Sequence, residues 1–366
     1  HPKTMVSSLY DLFPLRQLTE LVAMSQTHQG TAQLLRHLPL LEDVHLHFRA
    51  EDDFYDCTVE GADNLRTLKL TNVSAQVVQL CDLPSLRKLE VYMARDCQSM
   101  MLLSHCPELE DVAVTSDQYV DHFLPQLCES GSPVRRLRIW CYEDSYISEE
   151  FDMNELQHLE HLEAAFGGVP GWFWQDLETL PHFHTLHLTI PLNFGMQFVI
   201  EGIARITTLT ELKFETDDLE PVQNYRPLLA PLGLRLVNLE HFETNLYIED
   251  SIQTFSHVQS LVLPTVDHYN QDRFWPKMHQ FERLETLKLN EFDSDVSPIS
   301  LMFLGQLPNF QHLIYEHLLW NEEADYISWM QGTYAVEIRL LETEEDAEFD
   351  EQVRRFLGDR LIAITG

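Results

Sequence analysis

The sequence predicts an α/β solenoid, a stack of short strand-and-helix units whose strands line up in one parallel sheet. Three observations carry this expectation. The phrase LPSLRKLEV at 83–91 returns in altered form about thirteen times along the chain. Its first apolar anchors fall at 18, 41, 65, 86, 109, 134, 159, 183, 209, 239, 258, 284 and 310, mostly 21 to 26 residues apart, a period typical of repeat arrays. Within each copy, in the frame L-x-x-L-x-L, the second and third anchors alternate with polar residues. That is the period of a strand with one buried face.

The copies run in order. A weak first one, LRQLTELVA at 15–23, is followed by LPLLEDVHL at 38–46, ADNLRTLKL at 62–70, LPSLRKLEV at 83–91 and CPELEDVAV at 106–114. SPVRRLRI at 132–139, LQHLEHLEA at 156–164, LPHFHTLHL at 180–188 and ITTLTELKF at 206–214 come next. LVNLEHFET at 236–244, FSHVQSLVL at 255–263, FERLETLKL at 281–289 and LPNFQHLIY at 307–315 complete the set. Helical spacing is expected between copies: in 74–83 Val77, Leu80 and Cys81 share a helical face, and in 194–206 Phe194, Phe198, Ile200 and Ile203 dominate one side. Crossovers of one sense make the sheet parallel.

The stack is expected to fill residues 1–340, with 341–366 as an acidic connection and capping strand. TYAVEIRLLE at 333–342 reads as a further strand, ETEEDAEFDE at 342–351 as a solvated connection, and the end of VRRFLGDRLIAIT at 353–365 as a final apolar strand. Terminal repeats need such covers. No Pro/Gly/Ser linker separates two domains.

Composition narrows the function. Of 366 residues, 44% are hydrophobic and 23% charged, enough for a large core. Lys and Arg number 24 against 59 Asp and Glu, a net charge of −35 that repels nucleic acid and anionic membrane surfaces. A basic protein partner fits that charge better, and no apolar run approaches the ~18 residues of a spanning helix. Six cysteines at 57, 81, 97, 106, 128 and 141 form no CxxC pair, so reduced and mostly buried thiols of an intracellular protein, cytoplasmic or nuclear, are expected. The sequon Asn72-Val73-Ser74 is a chance match.

These repeats resemble leucine-rich repeats over residues 15–340. The resemblance implies a horseshoe with a parallel concave sheet and convex helices. The Asn or Cys that usually follows the third anchor by three residues is replaced by Arg49, Val73, Ala94, Asp117, Tyr142 and Gly167, so a regular asparagine ladder is not expected. LCDLPSLRKLEV at 80–91 and LLSHCPELEDVAV at 102–114 resemble the repeats of F-box leucine-rich-repeat proteins. That likeness implies substrate recognition within a ubiquitin ligase. The F-box itself is not recognisable in residues 1–40 and would lie upstream of His1. An acidic scaffold or chaperone for basic proteins, or a small-GTPase regulator, is the alternative.

With the anchors pointing inward, the residues just before the second anchor and just after the second and third share the concave face. In VRRLRIWCY at 134–142, Val134, Leu137 and Ile139 are then core, and Arg136, Arg138 and Trp140 stand on the surface. Neighbouring strands add Lys69, Lys88 and Tyr92. Cations beside flat aromatics suit an interface for an acidic or phosphorylated protein segment. The alternative is that the arginines pair with Glu90 and Asp111 across the sheet.

In GGVPGWFW at 167–174, Trp172, Phe173 and Trp174 cannot all point inward from one helical turn. Trp172 and Trp174 are therefore further contact candidates, unless they roof the core. Histidine is frequent, 18 in all, but His45/His47 and His182/His184/His187 are read as solvated or hydrogen-bonded, and no metal or cofactor is expected. Phosphate-loop, nucleophile-elbow and zinc-protease motifs are absent. The expectation is a binding module and not an enzyme.

Overall fold

In the computed structural model the described residues are 17–25, 38–48, 56–74, 77–94, 100–116, 120–141, 152–191, 195–216, 229–246, 248, 251–263, 275–289, 304–318, 335–340, 359 and 361–365. The chain forms two compact units, His1–Phe194 and Gly195–Gly366. Cys97, Phe194, Asp217-Asp218 and the acidic run 342–351 lie outside the described residues.

The local rule of each repeat is visible in its hydrogen bonds. The amide of Leu41 donates to the Leu38 carbonyl (3.1 Å), Leu86 to Leu83 (3.1 Å) and Leu109 to Cys106 (3.2 Å). Each bond closes a turn whose second residue is Pro39, Pro84 or Pro107, where the fixed proline φ prepays part of the ordering entropy. The turn delivers the chain to the strand. There, one carbonyl per repeat accepts two amides of the next: Glu42 takes Arg66 and Thr67, Arg66 takes Arg87 and Lys88, and Arg87 takes Glu110 and Asp111. The staircase continues through Glu110, Arg135 and Glu160. Backbone hydrogen bonds thus tie each repeat to the next in a fixed register.

In the first unit the strands β1 (Glu20–Ser25), β2 (Asp43–Phe48), β3 (Cys57–Glu60), β4 (Thr67–Val73), β5 (Val77–Cys81), β6 (Lys88–Met93), β7 (Met100–Ser104) and β8 (Asp111–Ser116) are followed by helix α1 (Val120–Glu129). Then come β9 (Arg136–Cys141), β10 (His161–Ala165), helix α2 (Gly171–Thr179) and β11 (Thr185–Ile190). The main sheet has the order β1-β2-β4-β6-β8-β9-β10-β11, and the strand pairs from β1 to β11 are parallel. The anchors behave as the frame requires. Leu86, Leu89 and Val91 are fully buried, as are Leu65, Leu68 and Leu70, and the same holds within 2% for Val134, Leu137 and Ile139.

The layer behind the sheet departs from expectation. Residues 77–81 are strand β5, not helix, and they pair with β3 and β7 in a second, three-stranded parallel sheet. Val78 and Leu80 are the buried residues, while Val77 and Cys81 are half-buried. A five-residue apolar stretch fits both periods, and pairing with its neighbours decides. Val59, Leu80 and Leu103 stack in register as one buried column. Helix α1 packs beside β7, and the Gln126 Oε1 accepts the Leu103 amide at 2.9 Å, which blunts the open edge of that sheet. Beyond it the layer is helical.

In the second unit helix α3 (Met196–Ile203), β12 (Glu211–Thr216), helix α4 (Ala230–Arg235), β13 (His241–Thr244), β14 (Ser260–Leu263), β15 (Thr286–Leu289), β16 (His312–Leu318), β17 (Ala335–Leu340) and β18 (Leu361–Thr365) follow one another. Their strands pair in that order, all parallel. Helix α3 buries Met196, Val199, Ile200 and Ile203, whereas Phe198, expected on the core side, is 45% exposed. Gly233 in α4 is required by packing, because a Cβ there would come within 2.7 Å of the Thr254 backbone.

Stacking is reinforced by an asparagine one residue before the first anchor. Asn64 donates to the Pro39 carbonyl (2.8 Å), Asn238 to Thr207 (3.0 Å) and Asn309 to Glu282 (2.7 Å), each reaching back one repeat. Cys57, Cys81, Cys106, Cys128 and Cys141 are in no disulfide among the described residues. Burial pushes Cys57 and Cys128 up to about 12 and Cys106 to about 11, so all three are neutral and unreactive near pH 7. Among the described residues no helix is long and apolar enough to cross a membrane.

Candidate functional site

The open face of the first unit's sheet is organised around a strand of small residues. On β8 the outward positions after Asp111 are Ala113 and Thr115. In register, Ala113 lies between Glu90 of β6 and Arg138 of β9, and Thr115 lies between Tyr92 and Trp140. Strands two apart are separated by roughly 9.6 Å. Over the trough the flanking side chains lean together until the Tyr92 and Trp140 rings are 6.3 Å apart and only 20° from parallel. Ala113 and Thr115 are buried, at 0% and 5% exposure, although they face outward, because their neighbours arch across them.

Beside this stack lies a charge cluster centred on Glu90, which is 6% exposed. Lys69 Nζ of β4 and Lys88 Nζ of β6 each reach its carboxylate at 2.8 Å. Arg138 Nη2 stands 3.6 Å from Glu90 and 3.1 Å from Asp111 Oδ1. Burial alone would raise the Glu90 carboxyl, but hydrogen bonds and charge from Lys69 and Lys88 outweigh it and hold the group at about 2. The hydrogen bond to Glu90 raises Lys69 in turn. For Arg138, burial works against the charge, and Asp111 overcomes it to leave the group raised. Lys69 also lies 5.1 Å from the Tyr92 ring centre, in cation–π reach.

The predicted contact residues therefore divide. Lys69, Lys88, Tyr92, Arg138 and Trp140 come together as one patch. Arg136, on the same face of β9, is exposed and is in no ion pair among the described residues. The cross-sheet pairing considered as the alternative is present: Lys69, Lys88 and Arg138 share Glu90 and Asp111. Aromatic surface and arginine edges still remain accessible, with Tyr92 and Trp140 both half-buried. Trp172 and Trp174 belong elsewhere. Trp174, expected as a contact residue, is 1% exposed and packs with Phe173 at 5.6 Å in the core under α2, so it cannot meet a partner. Trp172 is half-buried on the same helix.

Histidines come together where the spacing in sequence did not point. His45 and His47 each approach the Thr71 hydroxyl, at 3.5 and 2.8 Å. Burial and the charge of Lys69 lower His45. His161 and Glu163 of β10 and His187 of β11 form a separate group whose ligand atoms all lie within 4.8 Å of one another. The signal available in the sequence was an i, i+2 His-Glu pair followed one repeat later by a histidine at the equivalent of the Glu position. It is legible only once the repeats are aligned.

No family model matches the sequence, and no curated protein does either. Among solved structures, the chain is similar to a leucine-rich-repeat protein of Leptospira interrogans, at 14% identity over 100% of both chains and a TM-score of 0.33. The long all-parallel sheet, with first anchors buried from Leu41 to Phe310, is itself that of a leucine-rich-repeat fold.

Proposed function

We propose that the chain is a protein-interaction module whose first unit binds an acidic or phosphorylated protein segment on the open face of its sheet. The observation that carries this is the Tyr92–Trp140 stack flanked by Arg136, Arg138, Lys69 and Lys88. A half-buried aromatic pair offers a rigid anchor, and the exposed Arg136 guanidinium offers charge-assisted, two-pronged contacts to carboxylate or phosphate. Four cations against Glu90 and Asp111 leave the patch net positive on a chain of net charge −35. Such contrast favours steering of anionic segments to this face.

A finer proposal is that the segment belongs to a protein presented for ubiquitylation, with these repeats as the substrate-recognition part of an F-box type receptor. The likeness of 80–91 and 102–114 to repeats of that family supports it. The net charge of −35 favours a second reading, a scaffold for basic proteins.

One titration separates the two. Fluorescence anisotropy with acidic, phosphoserine-containing and basic peptides of matched length should show the phosphorylated and acidic peptides binding first. Trp140→Ala should weaken that binding by ~2 kcal/mol while circular dichroism stays unchanged. Preference for the basic peptide selects the scaffold, and unchanged binding by the Trp140→Ala protein removes the patch from the interface. Co-purification of the ligase adaptor with a chain extended upstream of His1 tests the finer proposal independently.

A further inference from the structure

We infer that His161, Glu163 and His187 form a three-ligand site for a divalent cation of the zinc class on the open face of the first unit's sheet. The backbone register assembles it. His161 and Glu163 are two residues apart on β10 and so point the same way, and Glu163 is directly opposite His187 of β11. The imidazole rings of His161 and His187 meet edge to face, with centres 4.8 Å apart. Among the described residues this is the one group of three or more His, Cys, Asp or Glu side chains that converges in this manner.

The donor set suits the cation. Two imidazole nitrogens and one carboxylate oxygen are the ligands of a zinc centre that keeps its fourth position open, and hard cations such as magnesium would call for oxygen alone. A tetrahedral site with bonds of about 2.0–2.1 Å needs donors roughly 3.3 Å apart. Closing the 4.8 Å envelope to that distance asks the three half-buried side chains to rotate towards one another. Ligands on adjacent strands of a rigid sheet are better placed than ligands on loops.

The surroundings leave the carboxylate to the histidines. Arg138 is the register partner of Glu163 on the other side, yet its guanidinium is drawn to Asp111 at 3.1 Å and to Glu90 at 3.6 Å. Glu163 is in no ion pair among the described residues. Asp111, with Glu90 behind it, thus has a second consequence: by holding Arg138, it leaves Glu163 available as a ligand. The open fourth position faces away from the core, where a histidine, carboxylate or thiolate of a bound protein can complete the shell. The inference concerns the cation alone and stands whether or not the patch at Trp140 binds peptides.

The test uses zinc and cobalt ions with the full chain. Isothermal titration with zinc chloride should show one equivalent bound more tightly than the diffuse sites that a chain with 18 histidines and 59 carboxylates also carries. His161→Ala, His187→Ala and Glu163→Gln should each weaken that equivalent at least about tenfold, the scale reached even by changes in outer-shell partners. His47→Ala, which removes a histidine outside the group, should leave it unchanged. In the parent protein, cobalt should give the intense visible bands of a four- or five-coordinate centre, which reports on the site without any substitution. Weak six-coordinate cobalt bands, or equal losses in the His47→Ala and His187→Ala proteins, would overturn the inference.

Discussion

The two units place opposite charges at the centre of the same backbone pattern. In the first, the outward ladder reads His45, Lys69, Glu90, Ala113, Arg138, Glu163 and His187, and a nearly buried acid is ringed by three cations. In the second, it reads Lys213, Glu243, Val262, Lys288, Ile314 and Glu337, and a base is held by two acids, Glu243 at 2.7 Å and Glu215 at 3.3 Å. The outward positions of β12 to β15 contain no Phe, Tyr or Trp. Identical strand geometry therefore yields a positive, aromatic face in one unit and, on β12 to β15 of the other, a face without aromatic anchors. What differs is residue choice at positions the fold leaves free.

Below those faces the units should behave alike. Leu137 and Leu261 are both fully buried second anchors, and replacing either by Ala should cost ~2–5 kcal/mol, read as faster amide exchange in its own unit. A loss in one unit far outside that range would break the equivalence of the cores. On the faces the comparison sharpens. Glu90→Gln removes the anion from three cations and should destabilise the first unit by roughly 2–3 kcal/mol, as for a charge-assisted network.

The pH dependence has a definite sign. Glu90 is held at about 2 in the folded chain, below its ordinary value of 4.5, so its contribution is present above pH 4.5 and is lost as pH falls towards 2. Acid titration of the parent should therefore show a loss between those limits that the Glu90→Gln protein lacks, and parallel curves would refute the cluster. Lys213→Met should have the smallest effect, within ~1 kcal/mol, because its side chain is 35% exposed and solvent screens the pairs. Chemical denaturation monitored by exchange in the second unit measures it.

Much of the fold was legible because one requirement recurs in every repeat. A buried strand face forces apolar residues at fixed offsets, and Leu41, Leu65, Leu86, Leu109, Val134 and Leu159 obey it at 0–2% exposure. The same offsets correctly assigned Arg136, Arg138 and Trp140 to the outward face. Behind the sheet, the helix expected within 194–206 is present as α3, but 77–81 was not legible, because so short an apolar stretch satisfies helix and strand periods equally, and only the hydrogen bonds offered by β3 and β7 choose between them. Trp174 was misassigned for a related reason. One helical turn cannot bury three successive aromatics, but which one stays outside depends on where the helix axis lies over the core.

Sequence alone determined the repeat and the face of the main sheet on which each outward side chain stands, since these follow from a period of two along a strand and a recurring frame. Only the tertiary structure decided which outward residues meet. Lys69 and Glu90 are 21 residues apart, Glu90 and Arg138 are 48, and Glu163 and His187 are 24. Such pairs become neighbours through stacking and through the small side chains of β8, which let long groups lean across a strand. Whether a cation is matched, a ring stacked or a ligand set closed depends on those contacts between repeats, and no single repeat contains them.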